Sequence, residues 1–74
     1  MKYKKGDLLV ETTQRHKAGG ERETINTYGI VTNASKYSSY YDVTWLIDGV
    51  SHNQFVYSDI DHRENVKLLP RPKN

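Results

Sequence analysis

Three histidines, His16, His52 and His62, are the side chains of this sequence best suited to proton transfer near neutral pH. Hydrolysis would need one of them beside a nucleophile and an orienting group. They are spread over a loop, a strand and a turn, with no evident serine partner and no cysteine anywhere in the chain. Exposed or capping histidines account for them, and no catalytic residue is assigned. Asp59, Asp61, His62 and Glu64 invite a metal reading. Their spacing matches neither an EF-hand loop nor a pair of zinc-binding histidines on a helix. Capping of a short helical turn and surface solvation account for that cluster, so neither a metal nor a cofactor is expected.

Two other groups could bind rather than react. Tyr28, Tyr37, Tyr40 and Tyr57 could form an aromatic surface that cages a cation or stacks bases. Cross-strand packing of the same rings is the plainer use. The second group is basic. Residues 1–5 and 67–74 carry Lys2, Lys4, Lys5, Lys67, Arg71 and Lys73 and no acid, whereas residues 6–66 hold five bases against all nine acids. Attraction to an anionic partner should therefore sit at the chain ends. Solvated tails that serve solubility are the alternative use of these residues.

The elements that must position these groups are strands. Tyr41, Val43, Trp45 and Ile47 alternate with Tyr40, Asp42, Thr44 and Leu46, the period that puts the first set on one face. Asp48-Gly49 supplies the positive φ of a tight turn, and a second strand follows to Tyr57. A two-residue turn would pair Val43 with Gln54. A loop one residue longer would pair Val43 with Phe55 and Tyr41 with Tyr57, which keeps large apolar groups together, so that register is expected. Trp45 is the expected anchor. An earlier strand is expected over Asp7–Thr13, with Leu8 and Val10 on one face and Leu9 on the other. Gln14–Glu23 is polar, with Gly19-Gly20 inside it, and is expected to be a long loop. Thr24–Thr32 forms another strand, with Val31 inward, Ile30 on the opposite side, and Gly29 marking a bulge, bend or close approach. Ser58–Asp61 offers a Ser or Asp cap and one helical turn plugged by Ile60. Val66–Leu69 closes the chain before Pro70 and Pro72.

The 74 residues allow one domain, with residues 1–5 and 70–74 as basic, mobile tails. Without cysteine there is no disulfide framework, which fits a reducing cytoplasm. No apolar run is long enough to span a bilayer, and no signal peptide is apparent.

Gly6-Asp7-Leu8-Leu9-Val10, Tyr28-Gly29-Ile30-Val31, Tyr41-Asp42-Val43-Thr44-Trp45 with Asp48-Gly49, and Asp59-Ile60 before Val66-Lys67-Leu68-Leu69 together resemble an SH3-like barrel of the Tudor or KOW type. The chain also resembles small uncharacterised proteins of tailed phages. The expectation is all-β: a small five-stranded SH3-like barrel with a long first loop and a one-turn 3-10 helix before the last strand. Two departures narrow it. The long Gln14–Glu23 loop precedes the Gly-x-Val element, unlike a KOW unit. One Trp and a mixed-charge loop replace the paired Trp and acidic loop of a proline-motif binder.

Such barrels bind proteins, nucleic acids or methylated side chains, so fold does not assign the role. The expected role is a non-enzymatic module that binds a protein partner, encoded by a phage and acting in the host cytoplasm. The alternative is a nucleic-acid-binding barrel that uses the basic termini and exposed tyrosines. Partner-binding residues would be Lys2, Lys4, Lys5, Lys67, Arg71, Lys73, Tyr28, Tyr37, Tyr40 and Tyr57.

Overall fold

A computed structural model describes residues 2–35 and 39–70. Five strands form one antiparallel sheet: β1 (Leu8–His16), β2 (Arg22–Ala34), β3 (Tyr40–Ile47), β4 (Val50–Tyr57) and β5 (Val66–Leu68), in the spatial order β4-β3-β2-β1-β5. A 3-10 turn, Ser58–His62, links β4 to β5. Among the described residues β4 and β5 are the two edges of this sheet.

The alternation in β3 holds for its first three members: Tyr41, Val43 and Trp45 are buried while Tyr40 and Leu46 are exposed, but Ile47, grouped with the buried set, is exposed beside the turn. The three buried residues join Tyr3, Leu9, Val31, Ile60 and Val66 in a single core. Ile60 is the plug of the 3-10 turn, at 1% exposure. Trp45 lies across from Gly29 on β2, and a Cβ there would stand 2.5 Å from the indole Cε3. Gly29 therefore serves close approach, because any side chain would collide with the ring.

The Gly6-Asp7 element is a turn tied to β2. Gly6 has φ 92°, Asp7 N donates to Lys4 O, and Lys4 N donates to the Asp7 carboxylate at 2.8 Å. Gly6 N then donates to Val31 O, and Val31 N to Asp7 O. The turn thus aims β1 along β2 and brings Tyr3 into the core at 2% exposure. Residues 2–5 are anchored through that ring rather than hanging as a free tail.

Three other expectations need correction. Gln14–Glu23 is not a long loop: β1 and β2 continue as a ladder to His16↔Arg22, leaving only residues 17–21 as the turn. Backbone pairing does not require apolar side chains, so a polar ribbon forms where no hydrophobic alternation marks it. The β3–β4 register is the shorter one. Asp48 and Gly49 take φ 52° and 77°, the mirror-image turn whose twist suits flanking strands, and Val43 meets Gln54. Turn geometry outweighs the grouping of large side chains, and Phe55 is left 74% exposed. Finally, the residue that caps the 3-10 turn is Tyr57, with no side-chain capping bond from Ser or Asp.

Candidate functional site

Adjacent apolar residues in a strand point to opposite faces. Leu8-Leu9, Ile30-Val31 and Trp45-Leu46 are such pairs, and each gives one member to the core and one to the far side of the sheet. The register aligns the outward members into two rows. One runs Val10–Tyr28–Leu46–Ser51 across β1 to β4, and the other Leu8–Ile30–Thr44–Asn53. Tyr28 is 49% and Leu46 54% exposed, while Leu8 and Ile30 are also exposed. Seven residues, Leu8, Tyr28, Gly29, Ile30, Thr44, Leu46 and Ser51, line a shallow apolar depression of about 260 Å³.

Neither row contains Asp, Glu, Lys or Arg. Two of their polar members are bonded to each other. Thr44 Oγ1 donates to Asn53 Oδ1 at 2.6 Å, and beside the rows Thr12 Oγ1 donates to Asn26 Oδ1 at 2.9 Å. Lys67 pairs with Val10 at the β5 margin. The face is therefore apolar at its centre, with Lys67 on β5 and Asp42 on β3 as charges at its margins, and that centre is low in the desolvation penalty that burying it would incur.

The sequence-derived candidates do not assemble into one site. Tyr28 belongs to the outer face. Tyr40 and Tyr57 pack against each other across β3 and β4, with ring centroids 4.7 Å apart. The bond to the Tyr57 hydroxyl, and then desolvation, push the Tyr40 phenol above its ordinary pKa. Tyr40 is six residues from Leu46 along β3, or roughly 20 Å, so the two aromatic groups are separate.

Among the described cations, Lys4, Lys5 and Lys67 are exposed. Lys2 donates its backbone N–H to Asp61 at 3.1 Å, and its Nζ lies 5.5 Å from the Tyr3 ring centre. The first and last strands do run together: β1 pairs with β5, and Leu69 N donates to Leu8 O at 2.8 Å. Tyr37, Arg71 and Lys73 lie outside the described residues.

Two carboxylates of the Asp59, Asp61 and Glu64 group have side-chain or backbone partners. Asp61 accepts from the Tyr41 hydroxyl at 2.5 Å and from Lys2 N, while the Tyr41 oxygen accepts from Tyr3 N at 3.1 Å. Burial first, and then the bond to Asp61, push the Tyr41 phenol up to about 12. Burial and the Asp61 charge raise Tyr3 as well. Asp59 and Glu11 instead flank Arg63 at 3.8 and 4.0 Å. Among the described residues no group of His, Asp and Glu could hold a metal ion. His16, His52 and His62 are all exposed.

Sequence reasoning missed Leu8, Ile30 and Leu46 as site residues. The signal was present as consecutive apolar residues in each strand, which mark a sheet apolar on both faces. No helix among the described residues is long and apolar enough to cross a membrane. No family model, no curated protein and no solved structure matches this chain.

Proposed function

We propose that this chain is a non-enzymatic, protein-binding module: a small SH3-like barrel that offers the outer face of its sheet to an apolar surface of a protein partner. The observation that supports the reading is the pair of rows holding Leu8, Tyr28, Ile30 and Leu46, exposed side by side with no formal charge between them. A contiguous apolar patch on a chain with 27% charged residues is an expensive surface to leave wet. Its Tyr and branched aliphatic groups suit the dry centre of a protein interface. Phosphate contacts need cations, and the centre of the face holds none, with Lys67 beside Val10 at its margin. The phage-type origin and the host-cytoplasmic location belong to the same proposal and rest on motif resemblance and the lack of cysteine.

The nucleic-acid reading keeps one observation in its favour. Pairing of β1 with β5 brings the strand after Lys4 and Lys5 beside the strand that carries Lys67. Affinity resting on those lysines would fall steeply with salt, whereas docking on the apolar centre of the face would not.

The experiment compares the native chain with Tyr28→Ser/Leu46→Asp in capture from bacterial lysate with and without nuclease treatment. The reading expects a protein species held by the native chain at raised salt and released by the double variant, with at least about a tenfold loss in affinity. Unchanged far-UV circular dichroism and Trp45 emission must show that the variant folds. Equal capture by the folded variant would remove the outer face from the proposal. Binding only to nucleic acid, abolished by salt, would favour the other reading.

A further inference from the structure

We infer that β4 is a docking edge for a second copy of this chain, the two β4 strands pairing antiparallel about a two-fold axis at Asn53. This edge borders the outer face, whose rows end on its Ser51 and Asn53, but it binds through main-chain groups, and the inference stands whether or not that face has a foreign partner.

Among the described residues β4 has a hydrogen-bonded strand on one side only, β3. The two-residue turn fixes which of its groups face the other side. Ile47 and Val50 close the turn as a hydrogen-bonded pair, so the pairs Trp45–His52, Val43–Gln54 and Tyr41–Val56 bond in the same way. The residues between them, Ser51, Asn53 and Phe55, then direct both N–H and C=O to the open side. Every residue from Val50 to Phe55 is exposed, so nothing among the described residues covers this stretch.

Protein edges are ordinarily guarded by shortness, proline, charge or a bulge. β4 has none of these: it is eight residues long, contains no Pro, Lys, Arg, Asp or Glu, and stays in continuous register with β3. It carries the chain's one phenylalanine, Phe55, the most exposed of the described large hydrophobics at 74%.

The geometry selects a second copy as the occupant. In an antiparallel pair, outward-bonding residues must meet outward-bonding residues. Centred on Asn53, the two-fold arrangement sets Ser51 against Phe55 of the second copy and Phe55 against its Ser51. All three outward residues are used, forming about six main-chain bonds between the chains. On the other face His52 meets Gln54 of the copy, and Val50 meets Val56. No formal charges are opposed, since β4 carries none. Phe55 of the second copy arrives beside Ser51, one strand from the exposed Leu46, and so extends the Val10–Tyr28–Leu46–Ser51 row across the axis. The same strand supplies both halves of the match, as an isologous contact requires.

The test is sedimentation velocity over a concentration series from micromolar to millimolar, joined to amide hydrogen exchange at both ends of the series. The 8.6 kDa chain should reach twice that mass at high concentration. The amides of Ser51, Asn53 and Phe55 should slow by at least about tenfold, while those of His52 and Gln54, already bonded to β3, stay slow at both ends. Ser51→Lys/Phe55→Lys should be monomeric with native Trp45 emission, and Tyr28→Ser should still dimerise. A monomer throughout the series overturns the inference. So does a dimer whose Ser51, Asn53 and Phe55 amides exchange as fast as in dilute solution. The exchange measurement uses the native chain and decides the matter even if the lysine variant fails to fold.

Discussion

Leu8–Thr12 and Thr13–His16 belong to one strand, and they live in different surroundings. The first segment is flanked on both sides: β2 pairs with it throughout, and β5 pairs with Leu9, Val10 and Glu11. Leu9 there is wholly buried. The second segment has only Arg22–Ile25 opposite it, beyond the reach of β3 and β5, and all four of its residues are exposed. The base of the hairpin is held by a core. The tip is held by its own ladder, a few side-chain contacts and the Lys17–Glu21 turn, where Lys17 N donates to Glu21 O at 2.7 Å. A two-stranded ribbon in water is marginal by itself. The tip is therefore ordered chiefly because the base fixes its start, and hydrogen bonding without burial confers shape at little stability.

The largest effect expected from this contrast is at the base. Trp45→Ala should cost about 3–5 kcal/mol in urea denaturation followed by circular dichroism, since the indole fills the space over Gly29. A loss under about 1 kcal/mol would mean that the base is no better packed than the tip.

An intermediate effect is expected at Tyr41, which joins β3 to the N-terminal segment and the 3-10 turn. Tyr41→Phe should cost about 1–3 kcal/mol, because Asp61 and the Tyr3 N–H each lose a partner. The native protein carries a pH signature of the same contact. The folded-state pKa of Tyr41, about 12, stands above the ordinary 10.0, so the neutral phenol is the form that folding favours. That contribution is fully present below pH 10 and is lost as the pH rises through about 12. Stability measured across that window should fall, and Tyr41→Phe should make the fall shallower, with Tyr3 supplying the remainder. An equally steep fall in the variant would detach the pH response from this contact.

The smallest effect is expected at the tip. Arg15 bonds to Glu23 at 2.8 Å with 67% of its own side chain exposed. Arg15→Ala should change stability by less than about 1 kcal/mol, and less still at high salt. The amides of residues 13–16 should exchange well before that of Leu9. A larger loss, or equal protection of both segments, would show the tip to be packed against something that the isolated chain does not display.

These two regions were unequally legible. At the base, apolar alternation marked Leu9, Val31, Tyr41, Val43 and Trp45, and Ile60 stood out as the one apolar residue of its turn. At the tip, Gln14–Glu23 carries no such alternation, so a strand pair held by backbone bonds read as a loop. Tyr3 sits among lysines in sequence and was passed over, because nothing local says that the Gly6-Asp7 turn will fold it back. The outer face was only partly visible. Leu9 and Ile30 were assigned to opposite sides of their neighbours, but the alignment of Leu8, Ile30, Tyr28 and Leu46 into rows depends on register across three strands.

What the sequence determined by itself was the set of strands with a buried face and the place of the turn at Asp48-Gly49. Both follow from local periodicity and backbone preference, which act within a few residues. What only the tertiary structure decided was which residues become neighbours across strands: Val43 with Gln54, Tyr28 with Leu46, Tyr41 with Asp61, and Phe55 with open solvent. Those pairings depend on register, and a register is set by the sum of turn geometry, core volume and hydrogen bonding over the whole sheet.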